Sequence, residues 1–508
     1  MQSVLGRCRL QRQHGSAMRR SLFLPLLSAL LLQAQEPFDR LTFHAEPSPL
    51  AAGAVTTDWP RFLGPNDDAT STEGPLLKSF PEGGPRLLWR VATGEGYTSP
   101  AIVGDRLLLF HALDGRETVE CLHPGTGRRY WSFDYPIQYQ DRYGFGNGPR
   151  GSPVVADGVV VTLGVTSMLH ALDLATGKPL WKIDLRAEYH VPQDFFGHGS
   201  SPLIADGRVF VQVGGKAEAF DGFEDRRERA RKLATRGVSV AAFDLKTGRV
   251  LWQAEDDWGA SYASPALAEL HGKTKLLVFA GGESDPPTGG LLCLDPATGE
   301  VHERFPWRAD DYISATASNP VVIPGKNRVF LTTCYPKGRP LGGVMIEFDA
   351  AFKAREVWRS TKIGVHWMTP IYHGGHLYAI DGERENNSRL VCVNADTGEE
   401  VWGRTLEWQD AAFARAQGRS QPVRLSVLRA GLLRCGDDFL CLGEVGSLHW
   451  LKLGPAGLEE TARAQLFYAL NTWSLPALSR GLLYVRQQAP ALDGGGGPAL
   501  LCYDLRGR

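Results

Sequence analysis

Apolar and polar positions alternate in short bursts along most of the chain. "TSPAIVGDRLLLF" begins at Thr98, "GSPVVADGVVVTL" at Gly151 and "SSPLIADGRVFVQ" at Ser200. Each is a brief apolar run, a turn carrying Gly or Asp, and a second apolar run, which predicts a β-hairpin. The pattern returns in "ASPALAEL", "SNPVVIPGKNRVFL", "MTPIYHGGHLYAI" and "SLPALSRGLLYV". The marker prolines are Pro100, Pro153, Pro202, Pro265, Pro320, Pro370 and Pro476, separated by 53, 49, 63, 55, 50 and 106 residues. The last interval is twice 53, which predicts a unit with an eroded marker, its strands around Ser426 to Leu433 and Phe439 to Leu453. Eight units of about 50 residues result.

A second string follows each hairpin. "CLHPGTGRRYW" spans Cys121 to Trp131, and "ALDLATGKPLW" spans Ala171 to Trp181. "AFDLKTGRVLW" starts at Ala242, "CLDPATGEVHE" at Cys293 and "CVNADTGEEVW" at Cys392. These read as strand, corner, strand. An Asp or Asn side chain caps the corner, and Gly127, Gly177, Gly248, Gly299 and Gly398 supply its positive φ. Trp131, Trp181, Trp252 or Trp402 stands four residues after the Gly, with Glu303 in the fourth repeat. The recurring Trp is expected to pack between neighbouring units, not to touch a ligand.

Each unit therefore holds four antiparallel strands, and such sheets repeated radially make a β-propeller. A linear β-solenoid is the competing geometry, with shorter rungs. The final unit ends at "LLCYDLRGR" without its Trp strand, and "LLWRVATG", Leu87 to Gly94, lies ahead of the first Ser-Pro. The predicted fold is all-β: an eight-bladed β-propeller closed by an N-terminal strand that completes the last blade and removes an exposed edge. Residues 221–237 and 407–419 interrupt the rhythm with charged, helix-prone insertions, and "DGGGGP" at Asp493 is a hairpin loop.

Composition narrows the class. Among 508 residues, 55 Lys+Arg nearly balance 56 Asp+Glu, so no basic field exists to hold nucleic acid. "MRRSLFLPLLSALLLQAQ" from Met18 reads as a signal peptide: two Arg, an 11-residue apolar run from Leu22 to Leu32, and cleavage near Ala34. The first 17 residues read as an upstream extension. Arg19 and Arg20 admit the twin-arginine route, although Sec export is the simpler reading. The organisation expected is a signal over 1–34, a lead-in over 35–85 and the propeller over 86–508, exported to the periplasm or secreted, with no transmembrane segment after cleavage. Seven Cys follow the cleavage point at wide spacings, which is no disulfide framework. Cys121, Cys293, Cys392 and Cys502 fall in one repeat column and read as buried packing residues.

This blade pattern resembles the pyrroloquinoline-quinone (PQQ) repeat of eight-bladed quinoprotein dehydrogenases and of non-enzymatic relatives such as BamB-type propellers. "DWPRFLGPNDD", Asp58 to Asp68, is similar to the start of an exported bacterial subgroup. For a dehydrogenase the resemblance implies adjacent cysteines in a disulfide ring over PQQ, a Trp beneath it, and Ca²⁺ held by Glu, Asn and Asp beside a catalytic Asp. No Cys-Cys pair exists here, and the nearest two are Cys435 and Cys441. "DGERENNSR", Asp381 to Arg389, has ligand-type residues but sits where a hairpin loop belongs.

The segments leading into each first strand gather at one mouth of the channel. Three places before the marker prolines stand Tyr97, Arg150, Gly199, Tyr262, Ala317, Trp367 and Trp473, with His198 and His366 one place earlier. Arg150, His198, Tyr262, His366, Trp367 and Trp473 are the candidate cofactor-binding residues, suited to a small planar or anionic ligand. The alternative is that these side chains plug the channel and bond one another. "GHGSSP" is no nucleophile elbow, "GFGNG" is no dinucleotide fingerprint, and no His/Cys cluster has zinc spacing. Two functions follow: a binding or scaffold module of the cell envelope, with an envelope protein or a small ligand as partner, or a PQQ- and Ca²⁺-dependent oxidoreductase of alcohols or sugars.

Overall fold

The computed structural model describes residues 38–507 except 283–286, 312–313, 337 and 383–387. The signal-peptide reading lies outside the described residues. No helix among the described residues is long and apolar enough to cross a membrane.

The chain forms eight blades of four antiparallel strands in a ring. The first blade shows the plan: Ala101–Val103 innermost, then Arg106–Leu113, Arg116–Leu122 and Arg129–Pro136 at the rim. Blades two to six occupy 154–184, 203–256, 266–306, 321–360 and 371–404, and the seventh occupies 431–465. The last blade takes three strands from the C-terminal end and its fourth, Arg86–Ala92, from near the beginning. Trp89 pairs with Cys502 in that ladder, as the expected closure requires. Leu41–Phe43 then covers the outer edge of Arg86–Ala92.

Neighbouring blades are held at two radii. At the rim, the indole of one blade rests on the corner glycine of the next. Trp181 Nε1 donates to the Leu245 carbonyl at 2.9 Å, and a Cβ on Gly248 would stand 2.7 Å from the Trp181 ring. Asp244 caps the same corner, accepting from Thr247 N at 2.9 Å and Thr247 Oγ1 at 2.7 Å. Trp131, Trp252 and Trp358 repeat the contact, each at 3.0 Å. Trp89 makes it across the ring closure, to the Pro124 carbonyl at 2.9 Å. The recurring Trp is therefore an inter-blade element, as the repeat suggested. Where Glu303 replaces it, the carboxylate accepts from Ala354 N at 3.0 Å, and the corner is rebuilt around Phe352, whose ring packs on His302.

Around the axis, the Ser-Pro markers form a belt. Ser99 N donates to Ser152 Oγ at 2.9 Å, Ser152 N to Ser201 Oγ at 2.8 Å, and Ser201 N to Ser264 Oγ at 3.0 Å. Ser264 N continues to Asn319 Oδ1 at 2.8 Å, and Asn319 N to Thr369 Oγ1 at 3.4 Å. Ser99 Oγ donates to the Leu475 carbonyl at 2.7 Å, tying in the last blade. The following Pro has no N–H to leave unpaired on the channel-facing edge strand.

The lead-in segment crosses the far end of the channel. Trp59 is fully buried and exchanges backbone hydrogen bonds with Ile102 of the first blade at 2.8 Å. Val155 N of the second blade donates to Pro60 O at 2.9 Å. Thr70–Ser71 then pairs in parallel with Arg434 and Cys435 of the seventh blade. Glu73 fixes the crossing by accepting from Thr57 N, Arg480 N and Gly481 N at 2.6, 2.6 and 2.8 Å.

Three expectations are refined. Residues 221–237 carry a helix, Arg226–Leu233, capped by Asp225. Within 407–419 only Ala411–Ala416 is helical, because Glu407–Asp410 pairs with Val423–Ser426 as a separate hairpin. The seventh blade accordingly begins at Gly431–Cys435, not at Ser426. All seven described cysteines are free and buried, Cys435 and Cys441 included.

Two outcomes are expected. Gly207 and Gly248 share φ +69, but a Cβ on Gly207 meets nothing within 4 Å. Gly207→Ala should cost about 1–2 kcal/mol of left-handed strain. Gly248→Ala should cost about 1–3 kcal/mol more, because it displaces the Trp181 ring. Urea unfolding of both variants measures the difference. Separately, Glu117 is buried between blades one and two, accepting from Tyr135 OH at 2.5 Å and Val165 N at 2.7 Å. Burial raises its carboxyl to about 7, against the opposing pull of those hydrogen bonds. A raised folded pKa gives stability that is present below the ordinary carboxylate range and lost as pH rises through 7. Glu117→Gln should therefore flatten the fall in Tm between pH 5 and 8, as read by thermal melts.

Candidate functional site

The innermost strands line the channel, so the residues leading into them meet at its mouth. A cavity of about 460 Å³ lies there, within the size range of small-ligand sites. Tyr97, Arg150, Gly199, Tyr262, Ala317, Trp367 and Trp473 all line it, as does His366. His198 does not. It is 6% exposed and stands behind the wall, with Nδ1 3.2 Å from Ser167 Oγ. Burial lowers its imidazole to about 4, so it is neutral at ordinary pH.

The eighth member of the ring is Arg429, which the sequence reading missed. In the seventh blade Cys435 pairs with Asp438 across its turn, as Val103 pairs with Arg106 in the first. That register puts Leu432 in the proline position and Arg429 three places before it. Aligning "RCGDDF" with "IVGDRL" on their Gly-Asp turns would have exposed it.

Aromatic side chains roof the cavity. Trp473 stacks on Tyr97 at 5.3 Å between ring centroids and meets Trp367 at 4.7 Å. Trp367 lies against His366 at 4.0 Å, and His366 Nε2 is 3.1 Å from Tyr335 OH. From the opposite side, Phe145 meets Trp473 at 5.4 Å and Phe196 at 5.9 Å, and Phe196 meets Tyr262 at 5.7 Å. Phe62, Leu63 and Ala69 of the crossing segment form the floor. Between roof and floor run Ser152, Ser201, Ser264 and Thr369 of the belt.

Both cations at the mouth are paired. Arg150 donates to Asp141 Oδ2 at 3.0 Å, to Gly146 O at 2.8 Å and to Gly148 O. Asp141 Oδ1 also accepts from Tyr143 N at 2.9 Å and Phe145 N at 3.0 Å, so Arg150 is the strut of the loop that carries Phe145. Arg429 grips Glu444 with Nε at 2.8 Å and Nη2 at 2.5 Å. No Asp or Glu lines the cavity among the described residues. Nor do three or more His, Cys, Asp or Glu gather anywhere among them so as to hold a metal ion. Asp381, the described acid of the "DGERENNSR" loop, pairs with Arg389 at 2.9 Å and accepts from Gly364 N at 2.7 Å. Residues 383–387 of that loop lie outside the described residues. The arrangement can stack a flat ligand and donate hydroxyl hydrogens to it. Among the described residues it presents no carboxylate as a general base or a metal ligand.

Comparison with known proteins gives the context. An alcohol dehydrogenase (quinone), dehydrogenase subunit, of Komagataeibacter europaeus is 26% identical over 348 residues, covering 61% of this chain and 40% of that protein. The chain thus spans about 40% of the length of the first curated relatives it matches. Among solved structures, a europium-containing methanol dehydrogenase superposes with a TM-score of 0.56 at 13% identity, covering 88% of this chain and 98% of the other. The quinohemoprotein alcohol dehydrogenase of Comamonas testosteroni gives 0.54 at 14% identity, covering 89% and 81%. At those identities the likeness is one of fold. A PQQ-repeat family model, described as outer membrane protein assembly factor BamB, matches residues 115–404, more than half of the sequence. With the repeat, the ring and this match in agreement, the chain belongs to that BamB-like family of PQQ-repeat β-propellers.

Proposed function

We propose that this protein is an exported binding module of the cell envelope, without catalysis of its own, whose ligand site is the chamber at the channel mouth. The observation that carries the reading is the donor set of the chamber. Aromatic faces and belt hydroxyls surround it, and each guanidinium is matched by its own buried carboxylate. Such a lining selects and orients a ligand, and its described residues include no carboxylate to act as a general base or to hold a hard cation.

A quinoprotein oxidoreductase is the second reading, favoured by the relatives named as quinone-dependent alcohol dehydrogenases. In it, Arg150 would hold a carboxylate of PQQ and Trp367 or Trp473 would stack on its rings. The described residues do not fit that pair. Arg150 is committed to Asp141 and two loop carbonyls, and Ca²⁺ finds no carboxylate on the cavity wall. Nor is there a disulfide to close over the quinone, since the described cysteines are free.

The two readings part in one experiment. The purified protein is mixed with PQQ and Ca²⁺, passed through gel filtration, and assayed for dye-linked oxidation of alcohols and sugars. The binding-module reading expects no quinone absorbance in the protein peak and no turnover. Co-elution together with turnover would establish the oxidoreductase instead.

A further inference from the structure

We infer that the chamber takes an uncharged, flat-ringed small molecule with hydrogen-bond acceptors on its rim, and that it discriminates against anions. This rests on the chamber being a ligand site, and it names what that site accepts.

An arginine at a pocket mouth ordinarily reads as an anion anchor. Here both are spent. Glu444, whose side chain is 3% exposed, takes two donors of Arg429 in a fork. The same guanidinium lies 5.1 Å from the Trp367 ring and 4.8 Å from the Trp473 ring, so it serves as part of the aromatic wall. Asp141, whose side chain is 1% exposed, neutralises Arg150, whose guanidinium lies 5.2 Å from the Tyr97 ring. An arriving anion would meet two ion pairs with no net charge, backed by buried carboxylates. It would also lose its own hydration in a cavity walled largely by aromatic rings, a loss that only a free cation could offset. An arriving cation would find no acid among the described residues of the wall.

What the chamber does offer is π-faces and hydroxyl donors. Ser152, Ser201 and Ser264 each use Oγ to accept a backbone N–H of the belt. A hydroxyl that accepts keeps its own proton to donate. These protons line the wall below the Tyr97, Trp367 and Trp473 rings. A ligand with a flat apolar face and carbonyl, amide or heterocyclic acceptors at its edge satisfies both features without carrying charge.

A matched pair of dyes tests this. N-phenyl-naphthylamine is neutral, and anilinonaphthalene sulfonate is the same skeleton bearing a sulfonate. Fluorescence titration of the full protein should show the neutral dye bound, with that binding lost in Trp473→Ala. The sulfonate should bind at least about tenfold more weakly. Glu444→Gln frees Arg429 and should strengthen sulfonate binding by about tenfold while leaving the neutral dye unchanged. Asp141→Asn frees Arg150 and should act in the same direction, which covers a failure of Glu444→Gln to fold. Equal or tighter binding of the sulfonate by the wild-type protein, displaced by Trp473→Ala, would overturn the inference and leave the chamber standing as a ligand site. If neither dye binds in a way that Trp473→Ala abolishes, the chamber reading itself falls.

Discussion

The pairing of Arg86–Ala92 with Ala499–Asp504 is the constraint on which the rest of the molecule depends. Seven blades are built from consecutive strands, but the eighth exists only when two segments some 400 residues apart in sequence meet, Trp89 opposite Cys502. Once they meet, the Trp89 indole docks on the corner of the first blade with the geometry used between other neighbours. The closing joint is thus chemically equivalent to the internal joints, and Ala499–Asp504 is not left as an unpaired outer edge. Contacts of such sequence separation carry a loop-closure cost that only the completed ring offsets.

Closure also creates the site. The rim contacts fix the angle between blades, and the belt of Ser99, Ser152, Ser201, Ser264, Asn319 and Thr369 fixes their height along the axis. A residue three places before the marker proline is therefore delivered to the same level in every blade. The mouth is one position of the repeat sampled eight times, with side chains free to differ because each enters from a different loop. Tyr97, Trp367 and Trp473 meet there because the belt holds them level.

Much of this was legible in the chain. The Ser-Pro spacing and the Asp-x-x-Thr-Gly corners carry the fold because they are the inter-blade contacts: a short polar acceptor, a residue without N–H, and a glycine that leaves room for an indole. Individual roles at the mouth were less legible. Arg150 resembles an anion anchor until the 137–149 loop folds back and brings Asp141 to it, and nine residues of sequence separation do not announce that contact. His198 stands beside a mouth position in sequence, but its ring turns away toward Ser167. Arg429 was hidden because Leu432 replaces the proline that marks the other blades. The crossing of residues 55–76 beneath the cavity has no periodicity to betray it, since it lies outside the repeat and lends only Thr70–Ser71 to a blade.

That crossing segment changes what the axis can be. Trp59 and Pro60 are bonded to the first two blades and Thr70–Ser71 to the seventh, so the strap is moored at both ends and turns Leu63 and Ala69 to the cavity. The chain's own lead-in segment spans from the second blade to the seventh across this end of the propeller. Leu63 and Ala69 of that strap thus share one cavity wall with the aromatic rings of the mouth.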